Sequence, residues 1–251
     1  KAVLPVMKAA AKPVSMTVTV TQTGLDVAVA GDFTLSEPGR QAAIGIALKA
    51  NFARLTVRDE VLAETRKPAV SFDGIAVGLP PGGFIQATAR AESAMRDLVT
   101  GHMQGARSVA DLFAGCGTFA LPLARLARVH AVEGDRASLA ALDAAWRAAS
   151  GQKLRRVTTE RRDLFVRPVT AKELDSFDGL VFDPPRAGAE AQAHQIAGSG
   201  VKRVAAISCN PATLARDLAI LTDGGYRIVT VTPIDQFLWS PHVETVALLE
   251  R

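Results

Sequence analysis

Cysteine is scarce in this sequence, which has only Cys116 and Cys209 among its 251 residues. Two cysteines cannot build a disulfide framework, and neither belongs to a group of Cys and His residues at metal-ligand spacing. We therefore expect no structural metal in this chain. A reducing compartment is the simplest setting for such a sequence, so we expect a cytoplasmic protein.

Long apolar runs are also missing, because charged residues interrupt every stretch before it is long enough to span a bilayer. The sequence shows no signal-peptide pattern at its start either, so we expect no membrane partner. What remains is an ordinary globular composition, 48% hydrophobic and 22% charged. The net charge of +4 permits a nucleic-acid partner without requiring one. A monomer is the default expectation.

A cluster of Pro and Gly, from Pro80 to Gly83, separates two patterns. Before it, residues Ser15 to Asp32 alternate apolar and polar side chains, which predicts two strands joined by a tight turn. The stretch from Glu37 to Phe52 has helical periodicity. We predict a small α+β domain over residues 1–83 and a second domain over residues 84–251.

After Phe84 the pattern alternates strands rich in Val, Ile and Ala with helices. This alternation predicts an α/β fold with an open, doubly wound (Rossmann-like) parallel sheet covered by helices on both faces. The last two strands are joined by a short loop, which predicts an antiparallel hairpin and a reversed strand at the sheet edge. Ligands of such sheets bind at the carboxyl ends of the strands, so the residues at those ends are the candidates for function.

The first strand of this domain ends in DLFAGCGTF, in which Gly115 and Gly117 let the backbone turn tightly and approach a ligand. We expect a helix from Thr118 to Ala127, with its free N–H groups at this loop. The next strand ends in VEGD, where the Glu133 carboxylate can accept both hydroxyls of a ribose. A two-glycine loop or an acid at a strand end is common on its own in proteins that bind no such ligand. Together they indicate an adenosine-type ligand.

Two further strands end in aspartates. Asp163, in RRDLF, is placed to accept from an adenine amino group, although a helix-capping or surface Asp fits the same pattern. Asp183, in FDPPRAG, is followed by two prolines that hold the chain extended. A carboxylate held there can accept hydrogen bonds from a planar substrate, although proline-rich strand exits also serve only to stiffen loops.

Cys209 lies in SCNP, where an apolar strand ends and Pro211 suits the first position of a helix. A lone cysteine is usually inert packing. The polar neighbours of Cys209 and the dipole of the following helix favour instead a nucleophilic thiol of lowered pKa. Glu244 begins the last strand, one helix and one strand later, so the chain can return a carboxylate to the same cleft. We expect His242 to be structural or solvent-facing and Cys116 to be inert packing.

Four stretches, DLFAGCGTFALPLA, FDPPRAG, SCNPATLARDL and HVETVALL, stand in the order and spacing typical of the RNA uracil-5-methyltransferases. The sequence resembles this family closely from Phe84 to Arg251 and loosely over residues 15–80, and it looks closer to the ribosomal than to the transfer-RNA members. The resemblance implies a class I methyltransferase fold, S-adenosylmethionine as the cofactor and RNA as the partner, with 23S ribosomal RNA favoured. It also implies that residues 84–251 form the catalytic domain and that residues 1–83 contact the RNA.

The resemblance also implies a mechanism. Cys209 adds to C6 of a uracil swung out of its stack, which activates C5 toward the methyl group, and Glu244 then removes the C5 proton. Asp183 matches an acid that contacts the cofactor or the uracil. The remaining cofactor contacts fall on Gln86, Phe113, Gly115, Gly117, Thr118, Glu133 and Asp163.

The sequence departs from the family pattern at three points. Thr88 and Thr118 stand where the family usually has Asn, and the chain lacks the N-terminal barrel and the four-cysteine iron–sulfur cluster of several ribosomal members. The chain is therefore either truncated or from a branch without these parts.

Other functions compete with this interpretation. A transfer-RNA enzyme acting on the T-loop uridine is the alternative within the family. An adenine or cytosine amino-methyltransferase shares the Asp-Pro-Pro motif, but an aromatic residue normally follows it, where this chain has Arg186. An inactive nucleic-acid-binding module with the same fold predicts damage at Cys209, Asp183 or Glu244, and all three are intact. A nicotinamide dehydrogenase is disfavoured because Ala120 replaces the third glycine of its fingerprint.

Overall fold

The computed structural model describes residues 13–237, 239–240 and 242–251, and the chain divides into two compact units between Gly83 and Phe84. The division falls at the end of the Pro/Gly cluster. No helix among the described residues is long and apolar enough to cross a membrane.

The first unit contains a four-stranded sheet in the order β1-β2-β3-β4 and a separate hairpin of β5 and β6. Its elements are β1 (Ser15–Thr21), β2 (Gly24–Ala30), α1 (Glu37–Lys49), β3 (Arg54–Val57), β4 (Glu60–Glu64), β5 (Ala69–Phe72) and β6 (Ile75–Gly78). Helix α1 packs its alanines on this sheet, around a core that includes Val27, Val29 and Leu55.

A buried ion pair joins the two central strands of this unit. Arg54 on β3 donates through Nε and Nη2 to the two carboxylate oxygens of Asp26 on β2, at 2.9 and 2.5 Å. The same guanidinium donates to the carbonyl groups of Leu79 and Pro80. The Arg54 guanidinium therefore has a charged partner and two carbonyl acceptors within this unit. Such partners are expected for a charge that is almost fully buried.

The second unit contains a seven-stranded sheet in the order β12-β13-β11-β10-β7-β8-β9. Its strands are β7 (Ser108–Leu112), β8 (Arg128–Glu133), β9 (Val157–Arg161), β10 (Gly179–Phe182), β11 (Arg203–Ser208), β12 (Arg227–Ile234) and β13 (Glu244–Glu250). Its helices are α2 (Ala89–His102), α3 (Ala120–Leu123), α4 (Arg136–Ala148), α5 (Ala171–Leu174), α6 (Glu190–Ala197) and α7 (Pro211–Asp223). Strands β7 to β11 are parallel, as predicted for a doubly wound sheet.

The reversed strand lies inside the sheet and not at its edge, where we had expected it. Strand β13 is antiparallel to β11 on one side and to β12 on the other. The physical reason is burial: VALL in β13 is a continuous apolar run and is buried, whereas β12 is mostly exposed and carries Pro233. A proline removes a ladder donor and suits an edge strand.

The helix after the glycine loop is much shorter than predicted. It covers only Ala120–Leu123, a single turn, instead of Thr118 to Ala127. Pro122 accounts for the late start of this helix, because its ring and its missing N–H are tolerated only in the first turn. The loop therefore offers turn N–H groups, and not the dipole of a long helix.

Candidate active site

The strand register brings the predicted site residues to one edge of the sheet. In the parallel strands, Phe182 pairs with Leu112 on β7, so Asp183 follows beside Phe113. In the antiparallel pair, Ser208 pairs with Thr245, which places Glu244 opposite the position of Cys209. Residues that are far apart in the sequence therefore share one cleft because of how the strands pair.

The glycine loop is held by the acid at the end of the next strand. The backbone N–H of Gly115 donates to Glu133 Oε2 at 2.9 Å, and the N–H of Asp135 donates to Glu133 Oε1 at 2.8 Å. Each carboxylate oxygen retains a second lone pair, so the side chain remains able to accept from a ribose diol. Gly115 (φ +52°) and Gly117 (φ +100°) both adopt the left-handed region. A Cβ at Gly115 would meet open space, which leaves the backbone accessible to a ligand.

Asp111, at the end of β7, was not singled out from the sequence. It is almost fully buried, and among the described residues neither of its carboxylate oxygens has a hydrogen-bond partner. Burial raises its pKa well above the ordinary value, and the nearby charges of Asp183 and Glu133 act in the same direction. A buried carboxyl without a partner is costly, so this residue is suited to a cationic or N–H-bearing ligand group.

Asp163 closes a turn and caps no helix, because the next helix begins only at Ala171. Its Oδ1 accepts from the backbone N–H groups of Phe165 and Val166 at 3.0 and 3.4 Å. It also lines a cavity of about 540 Å³ together with Gly134, Arg161, Arg162, Val166 and Arg167. Phe165 packs its ring on Phe113, with centroids 5.5 Å apart. Phe113 has φ +60°, an unusual conformation for a bulky residue at a strand end.

The turn that carries Cys209 is tied to the loop that carries Arg186. Asn210 caps α7 by accepting from the N–H of Ala212 at 3.1 Å, and its amide donates to the Arg186 carbonyl at 3.0 Å. The hydroxyl of Thr213 donates to the same carbonyl at 3.3 Å. These bonds hold the two motifs at a fixed distance from each other.

The pKa of Cys209 is raised, and our expectation of a lowered value was wrong. Burial is the largest cause, and the carboxylates of Glu244 and Asp183 also disfavour a thiolate. Arg186 acts against them through a hydrogen bond to the sulfur and through its charge. The sequence indicated the dipole of α7, which favours a thiolate. It did not indicate that the carboxylates of Glu244 and Asp183 act on the same sulfur. Cys116 is buried beside Ser138, and its raised pKa fits the inert packing predicted for it.

His242 is exposed, as expected, but it also contacts the site. Arg186 Nη2 lies 2.8 Å from His242 Nδ1 and 3.0 Å from Nε2. The edge of the Phe237 ring meets the imidazole, with ring centroids 6.3 Å apart. The guanidinium next to Cys209 is therefore held by a side chain from the loop between β12 and β13.

A chain of hydrogen bonds links the two acids of the cleft. Gln86 Nε2 donates to Asp183 Oδ2 at 3.3 Å, and Gln236 Nε2 donates both to Gln86 Oε1 at 3.0 Å and to Glu244 Oε1 at 3.1 Å. Gln236 Oε1 accepts from the backbone N–H of Ala87 at 3.1 Å. Gln86, Gln236 and Glu244 are buried, whereas Asp183 is half-buried. Gln236 was not recognised in the sequence.

Both acids of the cleft hold their protons more tightly than ordinary carboxyls. Burial and the charge of Glu244 raise the pKa of Asp183 to about 7. Burial also raises the pKa of Glu244, while the Gln236 hydrogen bond and the charge of Arg186 lower it. The two carboxyls differ in their partners, so the arrangement can keep one protonated and the other ionised.

The two threonines that depart from the family pattern have separate positions. Thr88 is the N-cap of α2 and accepts from the N–H of Ala91 at 3.1 Å. This explains a small hydroxyl side chain there, since Thr is a good N-cap residue. Thr118 is half-buried and follows Gly117 in the glycine loop. Among the described residues, no group of His, Cys, Asp and Glu is arranged to hold a metal ion.

Comparison with known proteins gives consistent matches. The family described as tRNA (uracil-5-)-methyltransferase matches residues 40–251. A protein of Mesorhizobium japonicum named as an uncharacterized RNA methyltransferase is 59% identical over the whole of this chain, which spans 60% of its length. The 23S rRNA (uracil(1939)-C(5))-methyltransferase RlmD of Aeromonas salmonicida is 36% identical over 77% of this chain and 44% of its own length. The chain thus spans about three fifths or less of these relatives.

Solved structures share the fold. A Pyrococcus abyssi tRNA (uracil-54, C5)-methyltransferase in complex with S-adenosyl-L-homocysteine has a TM-score of 0.69 at 22% identity, over 93% of this chain and 59% of that one. The Pyrococcus horikoshii TYW2 in complex with MeSAdo has a TM-score of 0.62 at 16% identity, over 93% of this chain and 89% of that one. At these identities the likeness establishes the architecture of the chain as that of these methyltransferases.

Proposed function

Because this chain belongs to the tRNA (uracil-5-)-methyltransferase family, we propose that it forms the catalytic part of an RNA methyltransferase that modifies C5 of a uridine, with Cys209 as the nucleophile. The observation that carries this proposal is the cleft itself. It combines a thiol, an adjacent guanidinium and two carboxyls of raised pKa at the carboxyl edge of the sheet. Such perturbed groups are typical of active sites.

The residues present fit S-adenosylmethionine, which would supply an electrophilic methyl group. Glu133 retains acceptor capacity beside the glycine loop, and the open space at Gly115 lets a ligand approach the backbone. The orphaned carboxyl of Asp111 suits an ammonium group. Phe113, Thr118 and Asp163 border the same loops and are the further residues we assign to the cofactor, together with Gln86 and Asp183.

Addition of Cys209 to the uracil is the first task of the protein's own groups. The sulfur forms a bond to C6, and the electron pair of the C5–C6 double bond moves to C5. This pair would then bond to the methyl carbon while the bond from that carbon to the cofactor's sulfonium sulfur breaks, which would leave the cofactor as a neutral thioether. The thiol must lose its proton before the addition. Among the described residues that affect the pKa of Cys209, Arg186 is the only cation. Arg186 therefore offsets part of the effect of burial and of the two acids on the pKa of Cys209.

Removal of the C5 proton completes the reaction. Glu244, as a carboxylate, accepts this proton, the C5–C6 double bond forms again, and the sulfur leaves C6 as a thiolate. Asp183 holds a proton more readily than an ordinary aspartate, so it can donate a hydrogen bond to a polar edge of the bound ligand.

Ribosomal RNA is the substrate class we favour. The sequence motifs look closer to the ribosomal members, and the Aeromonas relative carries a 23S rRNA name at 36% identity. The names of the family and of the Pyrococcus structure keep transfer RNA as the second candidate. The small domain of residues 1–83 is proposed to contact the RNA.

The experiment that tests this function incubates the protein with labelled S-adenosylmethionine and either 23S rRNA or unmodified tRNA lacking 5-methyluridine. We expect label in 5-methyluridine of the ribosomal RNA. Cys209→Ala should abolish the transfer, and Cys116→Ala, a matched change at the buried cysteine, should retain it. Full activity of Cys209→Ala would contradict the covalent mechanism, and label only in tRNA would overturn the choice of substrate.

A further inference from the structure

Gln236 has every bonding group of its side-chain amide engaged. Its oxygen accepts from the N–H of Ala87, and its two N–H groups donate to Gln86 and to Glu244. The bond to Ala87 fixes the orientation of the amide, because a backbone N–H can only donate. The NH₂ group must therefore face the two acceptors, and the carboxylate oxygen of Glu244 that it meets must be an acceptor.

The orientation of Gln86 follows from that of Gln236. The oxygen of Gln86 accepts from Gln236, so its NH₂ group faces Asp183 at 3.3 Å. The hydrogen bonds thus run in one direction, from the Ala87 backbone through Gln236 and Gln86 to Asp183, with a branch to Glu244. Both amides are buried, where an unmet donor would be costly, so the alternative orientations are disfavoured.

We propose that Gln236 is a positioning residue of the reaction, which holds Glu244 as a proton acceptor and orients Gln86 against Asp183 through a single amide group. This inference rests on the function proposed above and assigns a role to a residue in the loop between β12 and β13. Gln236 does not touch the reacting atoms and acts through the base.

The charges around Glu244 explain why such a residue is needed. Asp183 lies across the cleft, and burial favours the neutral form of both acids. Cys209 becomes a second negative charge when it ionises. Among the described residues that act on Glu244, only two groups favour its ionised form. They are the Gln236 amide and the Arg186 guanidinium, which also contacts His242. Without Gln236, Glu244 would take up a proton at higher pH and would cease to be a base.

Gln236→Met tests the proposal, because methionine has nearly the same length and no donor. With wild-type protein active on uridine RNA, we expect the acidic limb of the single-turnover rate to move upward by about one pH unit in Gln236→Met. The rate below that limb should fall about tenfold and recover toward the wild-type value at high pH. Gln236→Glu, which keeps the length but replaces the donor with a third carboxyl, should move the limb further.

Gln192→Met is the matched control. Gln192 is also buried, and its amide makes two hydrogen bonds, to the N–H and carbonyl groups of Val169, away from the cleft. This change should lower the melting temperature and leave the pH limb in place. A lowered melting temperature with an unmoved limb in Gln236→Met would overturn the positioning role. An inactive wild-type protein would instead contradict the proposed function, so the two failures are distinguishable.

Discussion

Asp183 shows how a single residue acquires its chemistry from its position. It follows the buried strand β10 and lies opposite a second carboxyl, so burial and the charge of Glu244 raise its pKa to about 7. The motif FDPPRAG indicated a rigid acid at a strand end. It did not indicate this pKa, because the second carboxyl comes from a strand that begins at residue 244.

The stability of the protein should report this pKa. The Asp183 carboxyl has an ordinary pKa of 3.8 and a folded pKa of about 7, so between these values the folded protein binds a proton that the unfolded chain has lost. The free energy of unfolding contributed by this group therefore falls as the pH rises from about 4 to about 7. Asp183→Asn removes the titration, and the melting temperature of the variant relative to wild type should rise from pH 4 to pH 8.

Asp178→Asn is the control for this measurement. Backbone N–H groups of Arg107 and Ser108 hold the pKa of Asp178 below its ordinary value. Asp178 therefore stays ionised in the folded protein across this pH range, and the effect of its replacement should be nearly constant. A pH-independent difference for Asp183→Asn would show that the folded protein does not hold this proton.

The glycine loop between β7 and α3 is the element whose conformation depends most on the absence of side chains. Gly115 and Gly117 both have positive φ, but their surroundings differ. A Cβ at Gly117 would lie 2.5 Å from Cδ1 of Leu142 on α4, whereas a Cβ at Gly115 would meet nothing within 4 Å. One glycine is needed for packing as well as for the turn, and the other only for the turn and for access.

Two alanine substitutions separate these roles. Gly115→Ala should cost about 1 to 2 kcal/mol of unfolding free energy, the usual penalty of a left-handed non-glycine residue. Gly117→Ala should cost about 1 to 3 kcal/mol more, because the buried Leu142 side chain must also shift. Chemical denaturation measures both values. Equal losses would mean that the contact with Leu142 does not constrain the loop.

Elements marked by a clear pattern of apolar and polar residues were predictable from the sequence. Elements whose length depends on one residue, or whose place depends on strand pairing, were not. The strand–helix alternation after Phe84 predicted the parallel sheet correctly. The one-turn helix α3 was overestimated because its apolar run hid the effect of Pro122. The position of β13 was missed because the reversed strand was assumed to lie at the edge of the sheet, although the apolar run of β13 is typical of an inner strand.

At the scale of the whole molecule, the cleft combines residues from stretches that are far apart in the chain. Most of its members, including Cys209, Asp183 and Glu133, were found because each ends a strand, and parallel strands end at one edge. Asp111 carried a signal that was overlooked, a charged residue within a buried strand. Gln236 carried none, since it lies in a loop and its role depends on partners 150 and 8 positions away.

The central claim is that Cys209 bonds to the uracil and that Glu244 is required to release it. The most direct measurement uses Glu244→Gln, incubated with S-adenosylmethionine and uridine RNA, denatured, digested with trypsin and nuclease, and analysed by mass spectrometry. We predict a methylated uridine attached to the peptide from Val204 to Arg216, and no such adduct when Cys209→Ala is added. An adduct without the methyl group, an adduct on Cys116, or the absence of any adduct from an active enzyme would contradict the account.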